Sequence, residues 1–355
     1  VGIVFHEQGV PAGLISEPGV FYIPVWAVPG ESACRVRAQA RIKPIPWRLS
    51  IVGGYLIRRV LTSIPLLLGI SVILFGLVHL APGGPLAAYA FVPELKQEQL
   101  AAIKESLGLN DPVYVQYFKW LRGVVVGQWG FSYTDGRPVT QIIFERLPNT
   151  IQLTLASFII AVGLGVPVGI FTATRAGRTA RYAVNFLTMA AVSMPTFWVG
   201  LMVILVFAGE LRLIPSGGMF TIGAPFSLTD RLRHLIAPAM VLATARFASF
   251  ARYTHSSMVE AMQEDYIRTA RAKGLPEKFV VLRHGLRNVL ITLATLLGLS
   301  LPALFSGALI TEAVFAWPGN GRLLVDSLVR RDYPLVMGNF IIVALLVVTG
   351  NLLAD

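Results

Sequence analysis

Val60-Leu61-Thr62-Ser63-Ile64-Pro65-Leu66-Leu67-Leu68-Gly69-Ile70-Ser71-Val72-Ile73-Leu74-Phe75-Gly76-Leu77-Val78-His79-Leu80 is an apolar run of the length that crosses a hydrocarbon core of about 30 Å as a helix. Arg58 and Arg59 stand directly before it, and Arg35, Arg37, Arg41, Lys43 and Arg48 lie further upstream, so the positive-inside rule puts its N-terminal side in the cytoplasm. Runs of the same kind recur near 150–172, 183–207, 236–252, 289–310 and 336–354, with polar, proline-bearing connections between them. Six such spans predict an all-α polytopic membrane protein with both termini on the cytoplasmic side.

Composition agrees. The chain has 355 residues, 55% of them hydrophobic and only 14% charged, and a mean hydropathy of +0.66. That is more apolar surface than one soluble core covers, so water is not its main solvent. A net charge of +11 would suggest nucleic acid in a soluble protein. Here Lys and Arg gather in alternate connections between apolar runs, which sets topology, and membrane lipid rather than nucleic acid is the implied surroundings. The one cysteine, Cys34, gives the chain by itself neither an intrachain disulfide nor a multi-thiolate metal site.

Residues 1–53 read as an irregular or disordered leader, rich in Pro and Gly (Pro11, Pro18, Pro24, Pro29, Pro44, Pro46) and without a sustained period. A signal peptide is disfavoured, because the opening residues carry no Lys or Arg and Pro18, Pro24 and Pro29 cut the apolar part. No methionine precedes Met189 and the chain opens on valine, as a GTG start codon translated literally would give. The genuine start is therefore expected downstream, with Val52 a candidate, and much of the leader not made. At the other end the last span stops abruptly at Asp355 without a polar tail, which reads as a chain cut short.

The connections differ in charge. The short second one carries Arg175, Arg178 and Arg181 with no acid, whereas residues 81–147 balance both signs, so only the former looks cytoplasmic. Two helix-like stretches in 81–147 are too short to span. In Glu94 to Leu107 the residues Leu100, Ile103 and Leu107 form one apolar stripe, stopped by Gly108. In the next, Asp111 and Pro112 stand at cap and first-turn positions ahead of Tyr114, Phe118, Leu121 and Val125. They predict a small helical subdomain on the outer face, equally compatible with packing over helix ends and with docking.

The loop at 255–287 carries the most information. Asp265 suits an N-cap, Arg271 and Lys273 suit the negative C-terminal end of a helix, and Gly274 takes the left-handed conformation that stops it. Pro276 and Glu277 then open a second helix through Phe279, Val280, Leu282, Arg283 and Leu286 toward the fifth span. Helix, sharp turn, helix is a shape suited to passing a push from a soluble partner to the spans, and the small Ala270 and Ala272 would let that partner approach closely. A solvated or lipid-facing amphipathic loop is the plainer alternative.

Catalytic chemistry has no visible carrier. No Gly-x-x-x-x-Gly-Lys-Ser/Thr phosphate loop occurs, and His6, His79, His234, His255 and His284 are scattered without a His-Glu-x-x-His pair, so no cofactor or metal is implied. An autonomous secondary transporter or channel is the rival class, and it would hold ionisable groups at mid-membrane. Arg246 in the fourth span either lines a solute path or snorkels; Glu312 closes the fifth span; Asn339 in the sixth suits a helix-packing hydrogen bond. Gly163, Gly165 and Gly169, with Pro167 among them, mark close packing or a hinge, packing being favoured, and Ser216-Gly217-Gly218 reads as an outer turn.

Glu264-Asp265-Tyr266-Ile267-Arg268-Thr269-Ala270-Arg271-Ala272-Lys273-Gly274, succeeded by Arg283-His284-Gly285-Leu286-Arg287-Asn288, closely resembles the EAA loop of the B-type permease subunits of dipeptide, oligopeptide and nickel ABC importers. Tyr55-Leu56-Ile57-Arg58-Arg59, Glu145-Arg146-Leu147-Pro148-Asn149-Thr150, Thr311 to Gly319 and Arg331 to Val336 are similar to the same family in the same order, over roughly 54–355. The resemblance implies a type I importer permease in the bacterial plasma (inner) membrane. It pairs with a second homologous permease subunit, two ATP-binding subunits and an extracytoplasmic solute-binding protein, and is itself no enzyme. It also implies that Asp265, Tyr266, Arg268, Ala270, Arg271, Ala272, Lys273 and Gly274 touch an ATP-binding subunit, whose ATP-driven closure swings the spans between inward-open and outward-open states. Two departures stand out. Pro82-Gly83-Gly84-Pro85 lacks the acid of the family's Pro-Gly-Asp-Pro, and Pro276 replaces a polar residue, stiffening the turn.

Overall fold

The computed structural model describes residues 49–86, 97–106, 108–305 and 308–354. The leader up to residue 48, and Glu94 and Leu107 of the outer stripe, lie outside them. Two compact units divide the chain after Tyr55. Of the first, only the last residues are described, as the opening turns of α1; the second, Leu56–Asp355, holds the bundle and the site.

Among the described residues every regular element is helical. In order they are α1 (Leu49–Leu80), α2 (Gln97–Ser106), α3 (Val113–Val125), α4 (Val139–Thr174), α5 (Arg178–Ser193), α6 (Thr196–Val203), α7 (Leu228–Ala261), α8 (Asp265–Ala272), α9 (Glu277–Phe279), α10 (Leu286–Phe305), α11 (Leu309–Val314), α12 (Asn320–Val329) and α13 (Tyr333–Ala354). A π turn over Ile204–Glu210 continues α6, and another over Val280–Gly285 joins α9 to α10. Leu49–Gly53 already belong to α1, so the helix begins before the expected leader ends.

Five stretches are long and apolar enough to cross a membrane singly, at 58–80, 139–174, 228–261, 277–300 and 333–352, while α5 and α6 qualify only as a pair bent by 102°. The packing of α4 on α7 decides how to count that pair. Ser157 meets Arg246, Gly165 meets Phe250, Gly169 meets Thr254 and Thr172 meets His255. Numbers rise together along both helices, so they run parallel, and the residues between them must return across the same thickness. The bent pair is therefore one crossing, the third of six. The sequence predicts an unbroken span at 183–207; Pro195, which cannot donate to the helix ladder, breaks it.

The crossings overshoot their sequence-derived bounds. α4 has 36 residues and α7 has 34, about 50 Å each at 1.5 Å per residue, well beyond a hydrocarbon core. Val139–Leu147, expected in the outer subdomain, and His255–Ala261, expected in the 255–287 loop, instead extend these helices. Conversely α10 ends at Phe305, short of 310.

Close approach of α4 and α7 rests on glycine. A Cβ on Gly169 would stand 2.5 Å from Thr254 Cβ and 2.6 Å from the Ala251 carbonyl oxygen, and one on Gly165 would stand 2.9 Å from Phe250 Cβ. Small residues at such seams let backbones touch where lipid supplies no hydrophobic drive. Beside them Ala161, Ala243, Phe250, Met258, Ala261, Val281, Val289 and Leu293 form a buried cluster that ties α4, α7 and α10 together.

The spaced motifs meet at the opposite end. Trp317 is fully buried and donates from Nε1 to the Asn149 carbonyl at 2.9 Å, while Asn149 Nδ2 donates to the Pro318 carbonyl at 2.8 Å. The Asn320 amide donates to Thr150 Oγ1 at 2.7 Å, and Asn339 Nδ2 to the Asn320 carbonyl at 3.0 Å, the packing hydrogen bond expected of Asn339. Buried Asp332 accepts from Ser132 Oγ at 2.5 Å and the Thr134 amide at 3.0 Å. Glu312 lies in α11, outside the fifth span, and is wholly buried. Ser216-Gly217-Gly218, expected as a turn, forms a bend pinned to the chain before Trp317, with Gly218 at φ +85° and its amide donating to the Phe315 carbonyl.

Candidate functional site

α8 is a two-turn helix held on a short hairpin. Ile267 and Ala270, three residues apart on one face, are buried against Val280, with Met262 and Leu275 around them. The opposite face, with Asp265, Tyr266, Arg268, Arg271 and Ala272, is exposed, as are Lys273 and Gly274 beyond it. Seven of the eight residues expected to touch a partner are thus accessible together. Ala270 is not: its small side chain lets α8 lie on Val280 and is spent inside the loop.

The caps differ in detail from expectation. Glu264 holds the N-cap position without a side-chain cap bond, and Asp265 is the first helical residue. There its carboxylate favours the positive helix end and accepts from Arg268 Nη1 at 3.2 Å. The other end is as expected. Gly274 sits at φ +73°, its amide donating to the Arg271 carbonyl at 2.9 Å. Pro276 then takes the N-cap of α9 rather than its first turn.

Side chains brace this turn. Arg271 reaches over it to Glu277, Nη2 to Oε1 at 2.7 Å and Nε to Oε2 at 3.2 Å, the parallel fork that guanidinium and carboxylate form best. The Glu277 carboxylate holds the Arg271 guanidinium above its ordinary value, so Arg271 is charged at any working pH. Arg175, from the connection after α4, is in electrostatic reach of Glu277. Asn288 Nδ2 on α10 donates to Tyr266 Oη at 2.9 Å. Beneath the hairpin, Gly285 packs on Met258 and Met262 at the end of α7. α8 is thus in contact with the end of α7 through Met262 and with the start of α10 through Tyr266. Glu277 and Asn288 were not singled out from sequence for these roles; a carboxylate six residues after an Arg across a Gly-x-Pro turn is the signal that finds the first.

Inside the bundle, Arg246 is half-buried on α7 and donates from Nη1 to the buried Ser157 hydroxyl of α4 at 3.4 Å, across the α4–α7 seam.

A helical bundle whose apolar helices are long enough to cross a membrane, with a short braced helix at one end, is the architecture of a polytopic membrane protein. The chain belongs to the family described as binding-protein-dependent transport system inner membrane component, which it matches over residues 165–355, and residues 53–154 match that system's N-terminal membrane component. It is 44% identical over 305 residues to the oligopeptide transport system permease protein AppB of Bacillus subtilis, covering 86% of this chain and 96% of that one. Against the dipeptide transport system permease protein DppB of Escherichia coli the identity is 35% over 322 residues, covering 85% and 95%. Against the glutathione transport system permease protein GsiC of Salmonella paratyphi A it is 38% over 302 residues, again 85% and 95%. The chain is thus the permease subunit of an ABC importer, a membrane protein that partners ATPase and binding-protein subunits, and the ATPase is a separate polypeptide.

Proposed function

We propose that this permease moves short peptides across a bacterial inner membrane, as one half of a pore completed by a second homologous permease, with two ATP-binding subunits docked on α8 and a solute-binding protein on the opposite face. Residues 54–355 form the permease domain, 81–147 its outer subdomain with the start of α4, and 255–287 the coupling loop with the end of α7. Both termini lie on the cytoplasmic side, following Arg58, Arg59, Arg175, Arg178 and Arg181. The observation that carries the coupling role is the exposed face of α8, with Asp265, Tyr266, Arg268, Arg271, Ala272, Lys273 and Gly274, on a hairpin seated against α7 and α10. Peptide as cargo is supported by the relatives, whose names include oligopeptide and dipeptide transport. ATP-driven closure of the two ATP-binding subunits would draw the α8 helices together and rock the crossings between two access states.

The test is co-purification of the tagged chain expressed with its neighbouring genes, as wild type and as Gly274→Glu. An ATP-binding subunit that accompanies the wild type and is lost or uncoupled in the variant supports the docking site. A wild-type chain that purifies alone and moves peptide in liposomes without ATP overturns it.

A further inference from the structure

The break in the third crossing has no cover among the described residues of this chain. α5, α6 and the π turn after it run from Arg178 to Glu210, and no Asp, Glu, Lys or Arg lies between Tyr182 and Gly209, so the segment is built for the bilayer. The break at Met194–Pro195 falls halfway along it. Its depth is read from Gly200 and Val199, just beyond the break, which pack against Val241 of α7 and against Val314 and Phe315 at the end of α11. Helical hydrogen bonding is interrupted there. α6 starts on Pro195 with no side-chain cap, which leaves the amides of its first turn and the last carbonyls of α5 wanting partners. At this depth non-helical backbone is tolerated only where protein covers it or where it lines a water-filled cavity, since lipid offers no hydrogen bonds. Val192, Ser193, Met194, Pro195, Phe197 and Trp198 are all exposed, so the described residues leave the break uncovered. Instead an open cavity of about 370 Å³ sits on it, lined by Ala190, Ser193, Met194, Pro195, Phe197 and Trp198.

We infer that this break lines the solute path and makes direct contact with the cargo, an extended short peptide; the inference rests on the importer function proposed for the chain. The chemistry matches. A peptide presents amide donors and carbonyl acceptors at regular intervals, which the Ser193 carbonyl and the Thr196 and Phe197 amides, outside the bonds that Met194 and Pro195 make, satisfy without regard to sequence. Its side chains vary, and Met194, Phe197 and Trp198 supply adaptable, polarisable, uncharged surface of the kind found at promiscuous sites. Discontinuous membrane helices serve substrates in this way in other transporters. A bend of 102° also provides a joint at which the two halves of the crossing move separately as the path opens.

Cys34 is the only cysteine, so single-cysteine labelling is clean in a Cys34→Ser background. The assembled complex in liposomes would carry Met194→Cys, Phe197→Cys or Trp198→Cys, three variants so that one poorly folded protein does not decide the result. The probes are a charged, membrane-impermeant thiosulfonate, a lipid-soluble maleimide, and a mixture of di-, tri- and tetra-alanine as competitor. At least two positions should react with the charged reagent, and peptide at about ten times its dissociation constant should slow that reaction about tenfold. Reaction with the lipid-soluble reagent alone would place the break against lipid. Reactivity in the isolated chain that vanishes in the complex, with cross-linking to the second permease, would make it a subunit interface. Either outcome overturns the path. Peptide-stimulated ATPase of the wild-type complex, measured in the same preparation, tests the importer function separately: silence at two or more of the three positions beside intact ATPase refutes the path alone, and reactive, peptide-protected positions without linked ATPase refute the coupling alone.

Discussion

Arg271 and Glu277 join the two arms of the α8–α9 hairpin by a two-point ion pair across the Gly274 turn, 2.7 and 3.2 Å long. Both side chains are about half exposed, 45% and 56%, so the pair contributes about 0–1 kcal/mol to stability. Its consequence is geometric: it ties α8 to the start of α9 and so sets the angle at which α8 presents its outer face.

Reversing either charge alone, Arg271→Glu or Glu277→Arg, should leave the melting temperature nearly unchanged. Losing about 1 kcal/mol of coupling would still lower peptide uptake per ATP about fivefold. The double reversal should restore most of it. Uptake and ATPase measured together decide the matter, because a double variant as uncoupled as Arg271→Glu would show that Arg271 acts by touching the ATP-binding subunit instead.

At Gly274 no described atom lies within 4 Å of the place where a Cβ would stand, so the conformation at φ +73° is the obstacle to a side chain. Gly274→Ala should cost about 1–2 kcal/mol of local turn strain and weaken coupling, while Gly274→Asn, better tolerated in the left-handed region, should weaken it less. Subunit retention on an affinity column ranks the three proteins; equal retention and equal coupling would show that the turn does not need glycine's freedom.

Most of the crossings were legible because each is an uninterrupted apolar run bounded by charge. Their ends were not. Val139–Pro148 carries Glu145 and Arg146 and reads as a loop, yet tertiary packing of Val139, Ile142 and Ile143 against Leu335 and Ile342 extends the helix through it. The break at Pro195 was hidden for the opposite reason: apolar residues flank it on both sides, and hydropathy does not register hydrogen bonding. In the coupling loop, Gly274 announced itself by residue type. The burial of Ala270 did not, since a small residue suits close approach from inside the loop as well as from outside.

Gly163, Gly165 and Gly169 look alike in sequence and differ in what surrounds them. Alanine at Gly169 would drive a methyl group into Thr254 and the Ala251 carbonyl, which should destabilise the α4–α7 pair by about 1–3 kcal/mol. Gly163→Ala meets no described atom within 4 Å and should be neutral or slightly stabilising. Thermal melting of the solubilised protein separates them. A Gly163→Ala protein as unstable as Gly169→Ala would mean that hinge motion, rather than packing, is what the glycines provide.

Glu312 lies between the fifth and sixth crossings, fully buried, with one carboxylate oxygen accepting the Arg322 amide at 3.1 Å and the other without a hydrogen-bond partner among the described residues. Burial pushes its carboxyl above the ordinary carboxylate range, and hydrogen bonds from the Thr150 hydroxyl and from the Arg322, Gly321 and Ala308 amides pull it part of the way back. An acid raised in this way stabilises the fold fully only below its unfolded value of about 4.3, and the contribution is lost as pH rises through the raised value. The solubilised protein should therefore melt at a higher temperature at about pH 5 than at about pH 8, and Glu312→Gln, which keeps an acceptor without the charge, should flatten that slope. Glu312→Ala should lower the melting temperature at both, because stranding the Gly321 and Arg322 amides at the start of α12 costs about 1–3 kcal/mol. If Glu312→Gln kept the full slope, the pH sensitivity would belong to another group, and Glu312 would serve as a cap for α12 alone.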